Sequence, residues 1–183
     1  EAYASFGVRC IVGNEIPNNA GSLGVVHVSA PEGSILNAPP PRAVSARHSI
    51  GQMLPDVVLG CLDQVVANVT PAEGASCIWN PVFLSSLANS SANLNEDAFV
   101  INPIFNGGTG ARADKDGLST TAFPSGVRTT STEVNEATSP LVVWAKEFAT
   151  NSGGVGARRG GLGQTVVVEH RAGHEFIVSK MFD

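Results

Sequence analysis

Residues 164–181 read Gln-Thr-Val-Val-Val-Glu-His-Arg-Ala-Gly-His-Glu-Phe-Ile-Val-Ser-Lys-Met. Two runs of strand length, Gln164–His170 and Glu175–Met181, alternate apolar and polar residues on either side of Arg171-Ala172-Gly173. Alternation of this period, broken by a short segment containing Gly, predicts two strands joined as a C-terminal hairpin. The same texture extends back to Pro71, through short apolar runs at Ala75–Trp79, Val82–Leu87, Ala98–Phe105 and Pro140–Phe148. Gly-rich loops, Asn106–Gly117 and Asn151–Gly163, separate these runs.

Ahead of Pro71 the period changes. Tyr3, Phe6 and Cys10 stand near helical spacing in Glu1–Val12, with Gly13-Asn14 as a stop. Leu23–Ala30 reads as a strand on its β-branched Val25, Val26 and Val28, and Pro39-Pro40-Pro41 holds the next stretch extended. Arg42–Asn68 is the long helix candidate, with Val57, Val58, Leu62, Val65 and Val66 on one side. Pro55 lies inside it, which predicts a kink or a break there. The expected fold class is therefore α+β: a long helix packed on mixed or antiparallel strands, with Gly-rich loops and a C-terminal hairpin.

The chain has 183 residues, which suits a single domain or part of one over residues 1–183. Apolar residues are 43% and charged residues 15%, so a sizeable core can form and disorder is excluded. A net charge of −5 argues against a nucleic-acid partner, because phosphate contact needs a basic stripe and the only adjacent basic pair is Arg158-Arg159. No apolar stretch reaches the roughly 18–20 residues of a membrane span, so no membrane partner is expected either. The opening at Glu1 without Met, and the stop just after a strand, suggest a piece of a longer chain. Cys10, Cys61 and Cys77 are unclustered, which predicts buried thiols in a cytoplasmic, reducing setting.

Two loops carry the candidate chemistry. In Gly107-Gly108-Thr109-Gly110-Ala111-Arg112 the glycines would let backbone N–H groups approach an anion that Arg112 neutralises. A dinucleotide fingerprint needs a helix directly after the glycines, whereas Asp114-Lys115-Asp116-Gly117 is turn chemistry. A Gly-rich β connection is the plainer reading. In Asn151–Gly163 glycines surround Arg158 and Arg159, which suits either a forked clamp for a carboxylate or phosphate, or a wide turn paired to Glu133, Glu136 or Glu147. His170 and His174 flank a predicted turn, and His27 and His48 stand alone, so all four read as ordinary histidines and no metal site is assigned. No Walker A lysine motif and no nucleophile elbow occur, so catalytic residues stay unassigned.

Four strings occur in a fixed order: PEGSILNAPPPRAVSARH (31–48), GGTGARADKDG (107–117), AFPSGVRTTSTEVNEATSPL (122–141) and NSGGVGARRGGLGQ (151–164). Together they resemble the hydantoinase B/5-oxoprolinase family, which also includes the α subunit of acetone carboxylase. The resemblance implies a fragment from the C-terminal half of a longer hydantoinase B-type chain. It implies one half of an ATP-dependent hydrolase of cyclic amides, of the N-methylhydantoinase or 5-oxoprolinase type. A hydantoinase A-type partner would bind ATP and phosphorylate the carbonyl oxygen, and the B half would complete hydrolysis. ATP and a divalent metal are thus implied for the full complex and no cofactor for this piece, the metal ligands being expected upstream. Ketone carboxylation, or a scaffold role docking the A-type partner, are the alternatives. Gly108, Gly110, Arg112, Arg128 and Arg159 are the residues expected to contact substrate or phosphate. Convergence of the three arginines separates an anion site from a scaffold.

Overall fold

The computed structural model describes residues 2–13, 15–45, 47–86 and 98–180. Glu1, Leu87 and Met181, at the ends of three expected elements, lie outside the described residues. The chain divides into two compact units, Glu1–Pro71 and Ala72–Asp183.

The first unit holds helices α1 (Ala2–Arg9), α2 (Ala20–Leu23) and α3 (Arg47–Asp63). The long helix is shorter than Arg42–Asn68 and runs through Pro55 without dividing there. Proline removes one backbone hydrogen bond and crowds the preceding turn; here its ring is fully buried, which offsets part of that penalty. The buried face is Gly51, Gln52, Pro55 and Leu59. Val57 and Val65 of the expected face are 60% and 77% exposed, so the true face is rotated toward the proline. In this unit α3 packs against α1. Gly7 permits that crossing, since a Cβ there would lie 2.8 Å from Val58 Cβ and 3.1 Å from the Pro55 carbonyl oxygen.

The expected strand Leu23–Ala30 is overturned. Leu23 closes α2, and residues 26–30 form no ladder. The local cause is a capping box: Ser22 N–H donates to Asn19 Oδ1 at 3.0 Å, and Asn19 N–H donates to Ser22 Oγ at 3.2 Å. With its front captured and Val25 left 81% exposed, the valine-rich run has β propensity but no ladder to join.

The second unit holds β1 (Ile78–Trp79), β2 (Val82–Ser85), β3 (Val100–Ile101), β4 (Phe105–Asn106), α4 (Thr132–Thr138), β5 (Leu141–Phe148), β6 (Gln164–His170) and β7 (Phe176–Ser179). All pairings are antiparallel: β1 with β4, β2 between β3 and β7, and β5 with β6. The α+β class therefore stands, with antiparallel sheets. Phe83, Phe99, Phe105 and Leu141 form the buried core, flanked by Trp79, Ile101, Val166, Val168 and Phe176. Burying each such side chain is worth about 1.5–3 kcal/mol.

The C-terminal hairpin is corrected. A tight turn does follow β6, where Gly173 N–H donates to the His170 carbonyl at 2.8 Å and Gly173 adopts φ +70°. The strands it joins nevertheless pair elsewhere: β6 lies on β5, and β7 runs along β2 from Val82↔Ser179 to Ser85↔Phe176. Burial decides this, because Phe176 packs edge-to-face on Phe83 with ring centroids 5.8 Å apart. The helix laid on a strand is likewise the short α4, which packs against β5.

Ser131 caps α4 by accepting the Val134 N–H at 3.3 Å. The Glu133 carboxyl in the first turn is held below its ordinary value by its own backbone N–H, then by the Ser131 hydroxyl. Ser131→Ala is expected to cost about 1 kcal/mol in urea denaturation; an unchanged midpoint would show that the cap is idle.

Candidate functional site

The two Gly-rich loops meet in the second unit and are bound to each other backbone to backbone. Thr109 N–H donates to the Leu118 carbonyl at 2.9 Å, and Leu118 N–H returns to Thr109 Oγ1 at 2.7 Å. Gly161 N–H donates to the Thr109 carbonyl at 2.8 Å, and Thr120 N–H to the Leu162 carbonyl at 2.8 Å. On the other flank, Ala72 N–H donates to the Ala111 carbonyl at 2.7 Å and Ala75 N–H to the Gly108 carbonyl at 2.8 Å. Segment 107–111 is thus sandwiched between two backbone layers. The glycines are required for that closeness: a Cβ at Gly108 would overlap the Gly161 carbonyl, and one at Gly110 the Ala72 carbonyl.

At the outer end, Asp116 joins the two arginine loops. Its Oδ1 accepts the Arg159 N–H at 2.9 Å, and its carbonyl accepts Arg112 Nη2 at 3.2 Å. Gly117 N–H donates to the Arg159 carbonyl at 2.8 Å, so the backbone of Arg159 and the side chain of Arg112 are both bound at Asp116-Gly117. Both are exposed. Arg128 sits on a separate connection, also exposed, and its neighbour Val127 accepts Asn106 Nδ2 at 3.0 Å. Among the described residues the Arg128 side chain makes no hydrogen bond or ion pair to the other two. Of the three arginines, two reach Asp116: Arg112 through its guanidinium and Arg159 through its backbone.

Of the carboxylates expected to pair with Arg158 and Arg159, Glu136 is engaged elsewhere. Glu136 Oε1 accepts the Val143 N–H at 2.8 Å, and its carbonyl accepts Arg171 Nη2 at 3.0 Å. The Lys115–Asp114 ion pair at 3.8 Å is largely exposed and adds little stability.

Sequence reasoning passed over a buried polar cluster beside these loops. Gln164, 6% exposed, donates through Nε2 to the carbonyl of Asn106, 2% exposed, at 2.7 Å. Asn106 Oδ1 is buried without a hydrogen-bond partner among the described residues. Gln164 also lines a cavity of about 290 Å³ with Thr120, Lys146, Glu147 and Phe148. The available signal was a polar residue opening the alternation of β6 on its inward phase.

His170 is 4% exposed, accepts the Ala172 N–H through Nδ1 at 3.2 Å and stacks on His174 with ring centroids 4.9 Å apart. No group of three or more His, Cys, Asp or Glu converges among the described residues, so these side chains do not fit the divalent metal implied for the full complex. The thiols were expected buried; Cys10 and Cys61 are exposed and Cys77 half-buried. Desolvation, then the Asp56 carboxylate, push the Cys10 thiol up, the wrong direction for a nucleophile. No described helix is long and apolar enough to cross a membrane.

An antiparallel α+β unit with interlocked Gly/Arg loops is the class this geometry defines. The hydantoinase B/oxoprolinase family model matches residues 1–183, and the chain belongs to that family. A putative D-/L-hydantoinase B-type protein from Pseudomonas sp. (strain NS671) is 30% identical over 169 residues, 92% of this chain and 27% of that protein. The 5-oxoprolinase 1 of Arabidopsis thaliana is 28% identical over 166 residues, 90% of this chain and 12% of that protein. The chain thus spans about a quarter or less of the curated relatives it matches. Among solved structures, nucleotide-free acetone carboxylase aligns with a TM-score of 0.49 at 23% identity, over 64% of this chain and 15% of that one.

Proposed function

We propose that this chain is a segment of the B-type half of an ATP-dependent cyclic amide hydrolase. The observation that supports it most is the family match along all 183 residues, joined by a relative named as the B-type component of a hydantoinase. In this reading an A-type partner binds ATP and phosphorylates the amide carbonyl oxygen, and the B half completes ring opening. Arg112 and Arg159, flanking Asp116, would face the departing phosphoryl group with forked guanidinium donors. Gly108 and Gly110 would serve that site by locking the loop in place, and Arg128 would join only if its connection closes on the pair. Cys10, Cys61 and Cys77 form no disulfide, which suits a reducing, cytoplasmic setting.

A scaffold reading has one observation in its favour. The space beside Gly108 and Gly110 is filled by this chain's own backbone, as in a segment built to hold a shape for the A-type partner.

The deciding experiment is a full-length protein co-purified with its A-type partner and assayed with hydantoins, 5-oxoproline and ketones. ATP-dependent ring opening is the expected result; ATP-dependent ketone carboxylation without ring opening would overturn it. The 183-residue chain alone is expected to show no micromolar ATP binding by calorimetry, since it carries no phosphate loop. Micromolar binding there would contradict placing the nucleotide on the partner.

A further inference from the structure

In the first unit, α1 packs one side on α3 and turns the row Ala2, Ser5, Phe6 and Arg9 to a groove of about 590 Å³. Spacings of three and four residues put these side chains in line, over about 10 Å at 1.5 Å per residue. The opposite wall is Leu23, Val26, His27 and Val28, with Asn18 completing the lining. Phe6 and Val28 are exposed although apolar.

The second wall has backbone to spare. Val26 N–H donates to the Leu23 carbonyl at 2.9 Å, and the Ala30 carbonyl accepts Asn37 Nδ2 at 3.0 Å. Between these ties, residues 26–30 run without helix, turn or bend. The N–H and C=O groups of His27, Val28 and Ser29 have no hydrogen-bond partner among the described residues. A straight run with unpaired backbone groups is a template for another strand. Two strands alone are marginal in water, and packing on a helix supplies what they lack. Across this groove, α1 is that helix.

The charge of the groove selects the kind of strand. Arg9 and His27 line it, and no Asp or Glu does among the described residues. Arg9 donates through Nη1 to the Gly13 carbonyl at 3.4 Å and through Nη2 to the Ile16 carbonyl, which anchors the guanidinium at the last turn of α1. It makes no ion pair among the described residues, so its charge and the rest of its fork are unspent. Phe6, Leu23, Val26 and Val28 make the remaining wall apolar. An occupant that answers both needs an apolar and an acidic side chain on one side of a strand, two residues apart.

We infer that this groove docks an extended segment of a partner chain with the pattern apolar–any–acidic. Its backbone pairs with His27–Ser29, its apolar side chain covers Phe6, and its carboxylate meets Arg9. Two residues along a strand advance about 6.6 Å, whereas Phe6 to Arg9 advances about 4.5 Å along α1. The long Arg9 side chain spans that difference. The assignment uses neither the Gly/Arg loops nor ring opening.

The test is fluorescence anisotropy on the full-length protein with a labelled, end-blocked peptide, Ser-Thr-Leu-Thr-Glu-Thr-Ser. Saturable binding is expected, and replacing the peptide's Glu by Gln or its Leu by Ser should each weaken it about tenfold. N-methylation of one alternate set of peptide N–H groups should abolish binding, while methylation of the other set should weaken it far less, as strand pairing requires. His27→Asp, at an exposed position, should weaken the Glu peptide and spare the Gln peptide, with an unchanged melting temperature. Arg9→Gln should erase the preference for Glu over Gln; since Arg9 also ties residues 13–16, the His27 variant keeps the test decisive if this one unfolds. Equal affinity for the Glu and Gln peptides, equal affinity for the two methylated forms, or no saturable binding of any peptide would each overturn the assignment.

Discussion

Replacing Arg112 or Arg159 by Lys in the full-length protein, assayed with its A-type partner, is expected to lower turnover about 100-fold, the scale seen when one transition-state donor is lost. Phosphorylation of an amide oxygen makes a group whose departure concentrates negative charge on several oxygens. A guanidinium meets that charge with planar, forked donors, whereas an ammonium offers the charge without the fork. Arg112 spends one donor on the Asp116 carbonyl at 3.2 Å, which orients the plane and leaves the others available. Arg159 is anchored through its backbone, its N–H to the Asp116 carboxylate and its carbonyl to the Gly117 N–H, so its side chain is left uncommitted.

Both residues are exposed, so folding stability should shift by no more than about 0.5 kcal/mol. A selective loss of turnover is what distinguishes the anion role from a structural one. Arg128→Lys, on the connection tied to Asn106, is expected to lose less than about tenfold, since it lacks the Asp116 tie. Unchanged turnover in both Arg112→Lys and Arg159→Lys would assign the loops to the scaffold reading.

The second large effect is on stability. Gly110→Ala is expected to destabilise the second unit by at least about 3 kcal/mol, the upper range for overpacking. The added methyl would overlap the Ala72 carbonyl and lie near the Glu73 carbonyl, and backbone on both sides of the loop cannot swing away as a flexible side chain would. Segment 72–75 is itself hydrogen-bonded to Gly108 and Ala111, so a displacement spreads into both layers. Gly154→Ala is the matched comparison, because a Cβ there meets nothing within 4 Å. Its change should stay within about 0.5 kcal/mol. Denaturant midpoints of the two variants measure the difference; equal midpoints would show that the loop sandwich is not rigid.

The sequence was most legible where structure is local. The alternation in Pro140–Phe148 and Gln164–His170 located β5 and β6 to within a residue, and Glu1–Val12 contained α1. It was least legible where a run has the right propensity but a competing local device: in Leu23–Ala30, the Asn19–Ser22 capping box took Leu23 into α2. The same limit applies to the candidate site. Glycines that would admit an anion and glycines that admit another backbone look identical until the other backbone is placed.

By itself, then, the sequence determined the α+β class with its strand texture after Pro71, the position of both Gly/Arg loops and, through four ordered motifs, the family. Those are properties of residue type and short spacing, which the chain carries whatever its partners. Tertiary structure alone decided that β7 pairs with β2 rather than β6, because Phe176 finds its burial on Phe83. It alone turned α3 onto its Pro55–Leu59 face, since the closeness of Gly7 to Pro55 and Val58 selects which side meets α1. It also brought Arg159 to Asp116 across 43 residues, and gathered Thr120, Lys146 and Gln164 around one cavity. Contacts at that separation depend on which surfaces bury each other, and no local period encodes that choice.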